Sequence, residues 1–212
     1  QIHQAPFQLR SIVILLFITV WSLRLGIFLF IRVLKAGEDK RFREVKVSFS
    51  KYLVYFTISG LWVLITTLNA LLIVIKNKPG IDILFIVGTC FWFLGFVFEV
   101  VSDEQKRRFR KQLENKDKFI SSGLWSLSRH PNYFGDILQW VSIAMISISV
   151  LNGLEFLTLI SPLFVIILLT KVSGINILEK NADEKWSQDE SYIQYKNNTP
   201  VLIPFIKAAE NE

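Results

Sequence analysis

Between residues 123 and 140 the chain reads GLWSLSRHPNYFGDILQW, and six side chains able to bind ligands or move protons crowd together there: Trp125, Arg129, His130, Asn132, Tyr133 and Asp136. Pro131 biases His130 out of the helical region. Pro131 or Asn132 then suits the start of a helix that residues 134–150 continue. Backbone amides and cationic side chains therefore meet at a helix N-terminus, which is the physical description of an anion site. Metal chemistry is disfavoured, because it would need His, Cys or carboxylate partners at suitable spacing and the other histidine, His3, falls across the membrane by the expected topology. Ser126 and Ser128 lack the base and orienting acid of a hydrolase triad. Trp125 and Tyr133 equally suit an interfacial aromatic belt.

Two further clusters carry charge. Asp103, Lys106, Arg107 and Arg110 recur at three- and four-residue steps, so on a helix they form one ridge leading toward His130. Arg24, Arg32 and Lys35 form the other. Such convergence predicts a ligand with several negative charges: arginine forks match phosphate oxygens, and lysine supplies a point charge. Asp103 or Asp136 would accept from ribose hydroxyls or an amide, and Trp125 would stack on a flat ring. A nucleotide cofactor fits this set better than an inorganic anion.

The elements that must position these groups are apolar helices. Of 212 residues 51% are hydrophobic and 14% aromatic, and the mean hydropathy is +0.41, which predicts an all-α, polytopic membrane helix bundle forming one domain. Spans are expected at about residues 11–31, 52–75, 81–101, 134–151 and 156–178, followed by a polar tail over 179–212. Arg24 lies within the first span and either faces a polar interior or snorkels to the headgroups. The charged link 32–46 is either a solvated topology-setting loop or a phosphate contact. Asp82 suits the start of the third helix, and Glu99 is either interfacial or part of a buried network, the network being favoured because Asp103 lies four residues on and shares its helix face. Cys90 is expected to be a small core residue, with no partner for a disulfide. Despite a net charge of +6, no basic helix stands free of the membrane, so nucleic acid is excluded as a partner. The basic links and the tail are expected on the cytoplasmic side, with the N-terminus opposite, and His3 with it. No secretory signal is expected at the start, and upstream helices would complete the site. No feature specifies an oligomeric state.

The motif Gly-Leu-Trp-x-x-Ser-Arg-His-Pro-Asn-Tyr-Phe-Gly-Asp, preceded by Asp-x-Gln-Lys-x-x-Phe-Arg at 103–110, resembles the steroid 5-alpha-reductase C-terminal-like membrane family, DUF1295. WSLRLGIFLFIRVLKAGEDKRF from Trp21, SPLFVIILLTKVSG from Ser161, EKNADEKW and YIQYKNNTPVLIP are also similar to it. The wider superfamily includes NADPH-dependent steroid and sterol reductases and isoprenylcysteine carboxyl methyltransferases, which use S-adenosylmethionine. The Gln-Lys-x-x-Phe-Arg element is similar to the sterol-reductase branch, and the resemblance implies that Lys106 and Arg110 contact cofactor phosphates. It also implies that Asp103, Trp125, His130, Asn132, Tyr133 and Asp136 line the nucleotide pocket, that Arg24 and Lys35 reach it, and that Tyr195 closes it, while Arg129 joins the cofactor-binding set through the convergence of cations. Steroid 5-alpha-reductases carry a Tyr where this chain has Trp21, so the resemblance supports cofactor binding more than steroid reduction.

The expectation is thus an NADPH-dependent reductase of a carbon–carbon double bond in a steroid-like or other lipid substrate, with Tyr133 and His130 the possible proton donors. It would reside in the endoplasmic reticulum membrane of a eukaryote or the inner membrane of a bacterium. The rival expectations are an S-adenosylmethionine-dependent methyltransferase of the isoprenylcysteine type and a non-enzymatic lipid-binding scaffold.

Overall fold

The computed structural model describes residues 6–37, 47–172 and 174–206. Among these residues every regular element is helical, and no strand occurs. Four stretches are long and apolar enough to cross a membrane: Leu9–Ile31, Phe49–Lys76, Ile83–Lys111 and Gly153–Trp186. The chain is therefore an integral, multi-pass membrane protein, and four of the five expected spans coincide with these stretches. The remaining segment, 134–151, is covered by a helix of 18 residues, Pro131–Ile148. At about 1.5 Å per residue it rises roughly 27 Å, just short of a hydrocarbon core of about 30 Å.

The chain divides into two compact units, residues 1–86 with 143–161 and residues 87–142 with 162–212. In the first, α1 (Leu9–Ala36) packs on α2 (Phe49–Lys76). In hydrocarbon the backbone must satisfy its own hydrogen bonds, which makes long helices of such sequences. Gly37 ends α1 and Asn77 ends α2 in left-handed conformation, with φ of 75° and 43°. Ile14, Phe17 and Ile73 are buried in this unit, and Ser11 Oγ donates to the Ile73 carbonyl at 3.2 Å. Leu16, Leu23, Phe28 and Phe30 stay exposed, the pattern of a lipid-facing surface.

Polar clasps hold one end of this unit. Arg10 donates to Ser149 Oγ at 2.8 Å and to the Gly80 carbonyl at 3.2 Å, and pairs with Asp82. Asp82 Oδ1 in turn accepts from the Phe85 N–H at 2.9 Å, the helix-starting role expected of it. Lys76 donates to the Val150 carbonyl at 2.8 Å and pairs with Glu155. Deeper along α2, Asn69 is 1% exposed and neither its Oδ1 nor its Nδ2 has a hydrogen-bond partner among the described residues. A buried amide without partners costs about 1–3 kcal/mol. Asn69→Leu is therefore expected to raise the thermal unfolding midpoint of the detergent-purified protein, and a lowered midpoint would show that Asn69 makes a stabilising contact.

The second unit contains residues from 87 onward of α3 (Ile83–Lys111) and most of α4 (Pro131–Ile148). The two helices touch at glycines: a Cβ built on Gly135 would lie 2.4 Å from the Gly95 carbonyl oxygen. Phe98 and Phe134 meet edge to face at 5.3 Å beside this crossing. Glu99 is buried and accepts from Gln139 Nε2 at 2.7 Å, the internal network expected of it. Cys90 carries no disulfide but is exposed rather than a core residue, because it points off the outer face of α3.

The last apolar segment is not one continuous helix. A 3-10 helix, Gly153–Leu159, leads into α5 (Ile160–Ile167), then a π-helical turn, Leu168–Val172, before α6 (Ile175–Trp186). Gly174 lies at the break, where a Cβ would come within 2.1 Å of the Leu169 carbonyl oxygen, so only glycine fits. The tail then forms α7 (Glu190–Asn198), capped by Asp189, whose side chain accepts from the Ser191 N–H at 2.9 Å.

Candidate functional site

The second unit holds a cavity of about 320 Å³ formed by the C-terminal residues of α3, the 118–130 segment, α6 and α7, a size within the range of small-molecule sites. Six of the residues singled out from the sequence line it: Lys106, Arg110, Trp125, Arg129, His130 and Tyr195.

Its floor is aromatic. Phe119 stacks on Tyr195 at 5.4 Å and meets Tyr192 edge to face at 5.3 Å, with Trp186 at 5.8 Å. Burial pushes the Tyr195 phenol above its ordinary range, so it remains protonated and donates to the Trp125 carbonyl at 2.7 Å. Trp125 is 3% exposed, donates its indole N–H to the Ser102 carbonyl at 3.0 Å, and carries the Lys106 ammonium 4.4 Å above its ring. One face of this indole is thus already occupied by a cation, which limits the ring stacking expected of it.

The rim is basic. Among the described residues, Lys106, Arg110 and Lys118 make no ion pair, whereas Lys185 is held by Asp117 at 2.7 Å. The local sequence explains the presentation: Lys106 and Arg110 stand one turn apart on α3. Arg107 and Arg108, on the neighbouring faces, are drawn aside by Glu104, at 2.5 and 2.6 Å.

At the inner end, Arg129 and His130 share one carboxylate that the sequence reading passed over. Arg129 donates to Glu179 Oε2 at 2.9 Å, and His130 Nε2 lies 2.7 Å from Glu179 Oε1. Arg129 also donates to the Lys196 carbonyl at 2.9 Å, and its backbone N–H donates to the Pro200 carbonyl at 2.9 Å. Ser128 Oγ donates to the Leu202 carbonyl at 2.8 Å and accepts from the His130 N–H at 3.1 Å. The tail thereby holds the turn before Pro131 in place. Two buried atoms remain without a partner among the described residues, His130 Nδ1 and Arg129 Nε.

Other singled-out residues lie elsewhere. Tyr133 stacks on His130 at 5.8 Å from outside the cavity lining. Asn132 and Asp136 follow on the first turns of α4 and are half-buried. Arg24 is half-buried on α1 in the first unit, and the Lys35 side chain lies outside the described residues. Of the lining residues missed in the sequence, Phe119, Lys118 and Trp186 carried no spacing signal, because they meet only through folding. Glu179 was hidden in a charged run, Glu179 to Lys185, that reads as a solvated helix face. No group of three metal-ligating side chains occurs among the described residues.

A family model described as a protein of unknown function (DUF1295) matches residues 2–199. Among curated proteins, the 3-oxo-5-alpha-steroid 4-dehydrogenase 1 of Rattus norvegicus is 30% identical over 123 residues, 58% of this chain and 42% of that protein. The protein of the same name from Mus musculus is 29% identical over 122 residues, with the same coverage. That from Homo sapiens is 33% identical over 66 residues, 31% of this chain and 26% of its own length. The matched region thus spans less than half of these distant relatives. No solved structure matches the chain.

Proposed function

The chain belongs to the DUF1295 family, and from that membership we propose that it is a membrane reductase that binds NADPH in the second-unit cavity and reduces a carbon–carbon double bond in a steroid-like or other lipid substrate. The observation that carries the reading is the trio of cations, Lys106, Arg110 and Lys118, that make no ion pair among the described residues, around an aromatic floor. Charged donors with no internal anion suit phosphate groups, and aromatic faces suit the rings of a dinucleotide. Similarity to dehydrogenases named for 3-oxo steroids points the same way.

When bound, the nicotinamide supplies hydride chemistry. The protein's own part is to hold phosphates at the basic rim, orient the rings on the floor, and keep a proton-handling group at the inner end. Of the two candidates His130 is the better placed, since it lines the cavity and Tyr133 does not. Asp103, Asn132 and Asp136 remain proposed partners of ribose or amide groups, and Arg24 and Lys35 proposed contributors from α1. With α4 inserted as a short fifth span, the basic links and the tail share the cytoplasmic face, in the endoplasmic reticulum of a eukaryote or the inner membrane of a bacterium.

The test is the thermal stability of the detergent-purified protein with NADPH, NADH or S-adenosylmethionine, since a ligand bound only by the folded state stabilises it by about 2.7 kcal/mol at one hundred times its dissociation constant. Selective stabilisation by NADPH is expected. Stabilisation by S-adenosylmethionine alone would make the chain a methyltransferase, and no response to any of the three would favour a lipid-binding scaffold.

A further inference from the structure

Beyond α7 the chain closes a turn whose residues do not suit water. The Ile206 N–H donates to the Ile203 carbonyl at 3.3 Å, with Pro204 in the second position and Phe205 in the third, at φ of 68°. This is the pattern of a type II turn, whose third position favours Gly or Asn because a Cβ crowds the backbone in left-handed conformation. Here that position holds a large aromatic. Phe205 is 79% exposed and Ile203 and Ile206 are 48% and 61% exposed, whereas Pro204 between them is buried and seats the turn. Packing among the described residues therefore offsets little of the cost of a left-handed Phe.

Hydrogen bonds fix the level at which this turn sits. The apolar run of α3 ends at Val101, and the charges that follow from Asp103 place Ser102 where the helix leaves the hydrocarbon. Trp125 donates its indole N–H to the Ser102 carbonyl at 3.0 Å, and its own carbonyl accepts from the Tyr195 hydroxyl at 2.7 Å. Further on, the Arg129 N–H donates to the Pro200 carbonyl at 2.9 Å and Ser128 Oγ to the Leu202 carbonyl at 2.8 Å. The tail is thus tied to the edge of the bilayer as far as the residue before the turn. Residues 199–206 carry no charge, within a tail that is otherwise rich in charge.

We propose that the 203–206 turn is an interfacial lipid anchor: Ile203, Phe205 and Ile206 enter the boundary between headgroups and acyl chains of the bilayer that α3 crosses. An uncharged apolar tip at that depth gains from lipid what it lacks from the protein. A second protein chain is the poorer occupant, because three side chains fall well short of the roughly 800 Å² per partner of a stable interface. The contact does not depend on a nucleotide in the cavity. It does bear on the cavity wall: α7 contributes Tyr192 and Tyr195 to it, so an anchor just beyond α7 holds that wall at the membrane surface.

The test is photolabelling of the full chain in phosphatidylcholine nanodiscs that contain a trace of phosphatidylcholine with a diazirine high on one acyl chain. Trypsin cuts after Lys196 and Lys207 and so isolates residues 197–207 for mass spectrometry. Lipid adducts on Ile203, Phe205 or Ile206 are expected. Adducts confined to the apolar spans would overturn the proposal, since water or another protein chain would then cover the turn. The second arm is the triple variant Ile203→Ser, Phe205→Gly and Ile206→Ser, in which glycine suits the left-handed position and preserves the turn. Labelling of residues 197–207 is expected to fall roughly tenfold or more, the population shift that follows loss of the transfer of one large apolar side chain. Undiminished labelling in the folded variant would overturn the proposal as well, and if the variant does not fold, the adduct map of the unsubstituted protein decides alone.

Discussion

Lys106→Ala and Arg110→Ala are each expected to weaken NADPH binding by roughly 10- to 100-fold, the loss of about 1.5–3 kcal/mol that follows removal of a charged hydrogen-bond donor from an anion. The expectation follows from what the two side chains do not do. Neither forms an ion pair among the described residues, although Asp103 acts on Lys106 through its charge and Glu104, on the same helix, takes Arg107 and Arg108. Lys106 is the larger loss, because it is half-buried over the Trp125 ring, where water screens it less than the exposed Arg110. Arg107→Ala, whose side chain is already paired, is the control and is expected to leave affinity within twofold. Titration of nucleotide into each variant by tryptophan fluorescence checks all three, and raised salt is expected to mimic the two damaging substitutions. Equal affinities across the set would move the phosphate site elsewhere.

Gly135→Ala is expected to destabilise the fold by about 3 kcal/mol or more, at the upper end of overpacking effects. Its Cβ would lie 2.4 Å from the Gly95 carbonyl oxygen and 2.6 Å from the Glu99 amide nitrogen. Both are backbone atoms of α3, so no side chain can swing away, and the helices themselves must separate. That separation would also pull Gln139 from the buried Glu99 carboxylate, which is 2.7 Å from it. Gly60→Ala on α2, where a Cβ meets nothing within 4 Å, is the matched control and is expected to be neutral or mildly stabilising. Thermal unfolding in detergent distinguishes them, and a Gly135→Ala protein as stable as the control would show that α3 and α4 do not cross this closely.

Much of the site was legible before folding was considered. Lys106 and Arg110 recur one helical turn apart, and Arg129-His130-Pro131 marks a helix start, so periodicity and proline chemistry alone flagged residues that line one cavity. Their counter-charge was not legible. Glu179 looks like any solvated carboxylate in its run, and only the docking of α6 brings it to both Arg129 and His130. That docking converts Arg129 from an expected phosphate ligand into a residue already held by a carboxylate and two carbonyl contacts from the tail. Trp125 shows the same limit: its type suggested stacking, whereas its neighbours bury it and cover one face with Lys106.

The sequence by itself determined the class of the protein. Apolar runs long enough to span a bilayer force helices, because hydrocarbon leaves the backbone no other partner, and the charges excluded from those runs mark the links between them. It also determined which cations share a helix face, since helical spacing is a local property. Only the tertiary structure decided which of those cations are free and which are paired, which aromatics make a floor, and where the last apolar segment breaks at Gly174. The pairing of Arg129 and the aromatic floor depend on groups some fifty or more residues apart, Arg129 and His130 with Glu179 and Phe119 with Tyr195, and no local rule of spacing reaches across such a distance.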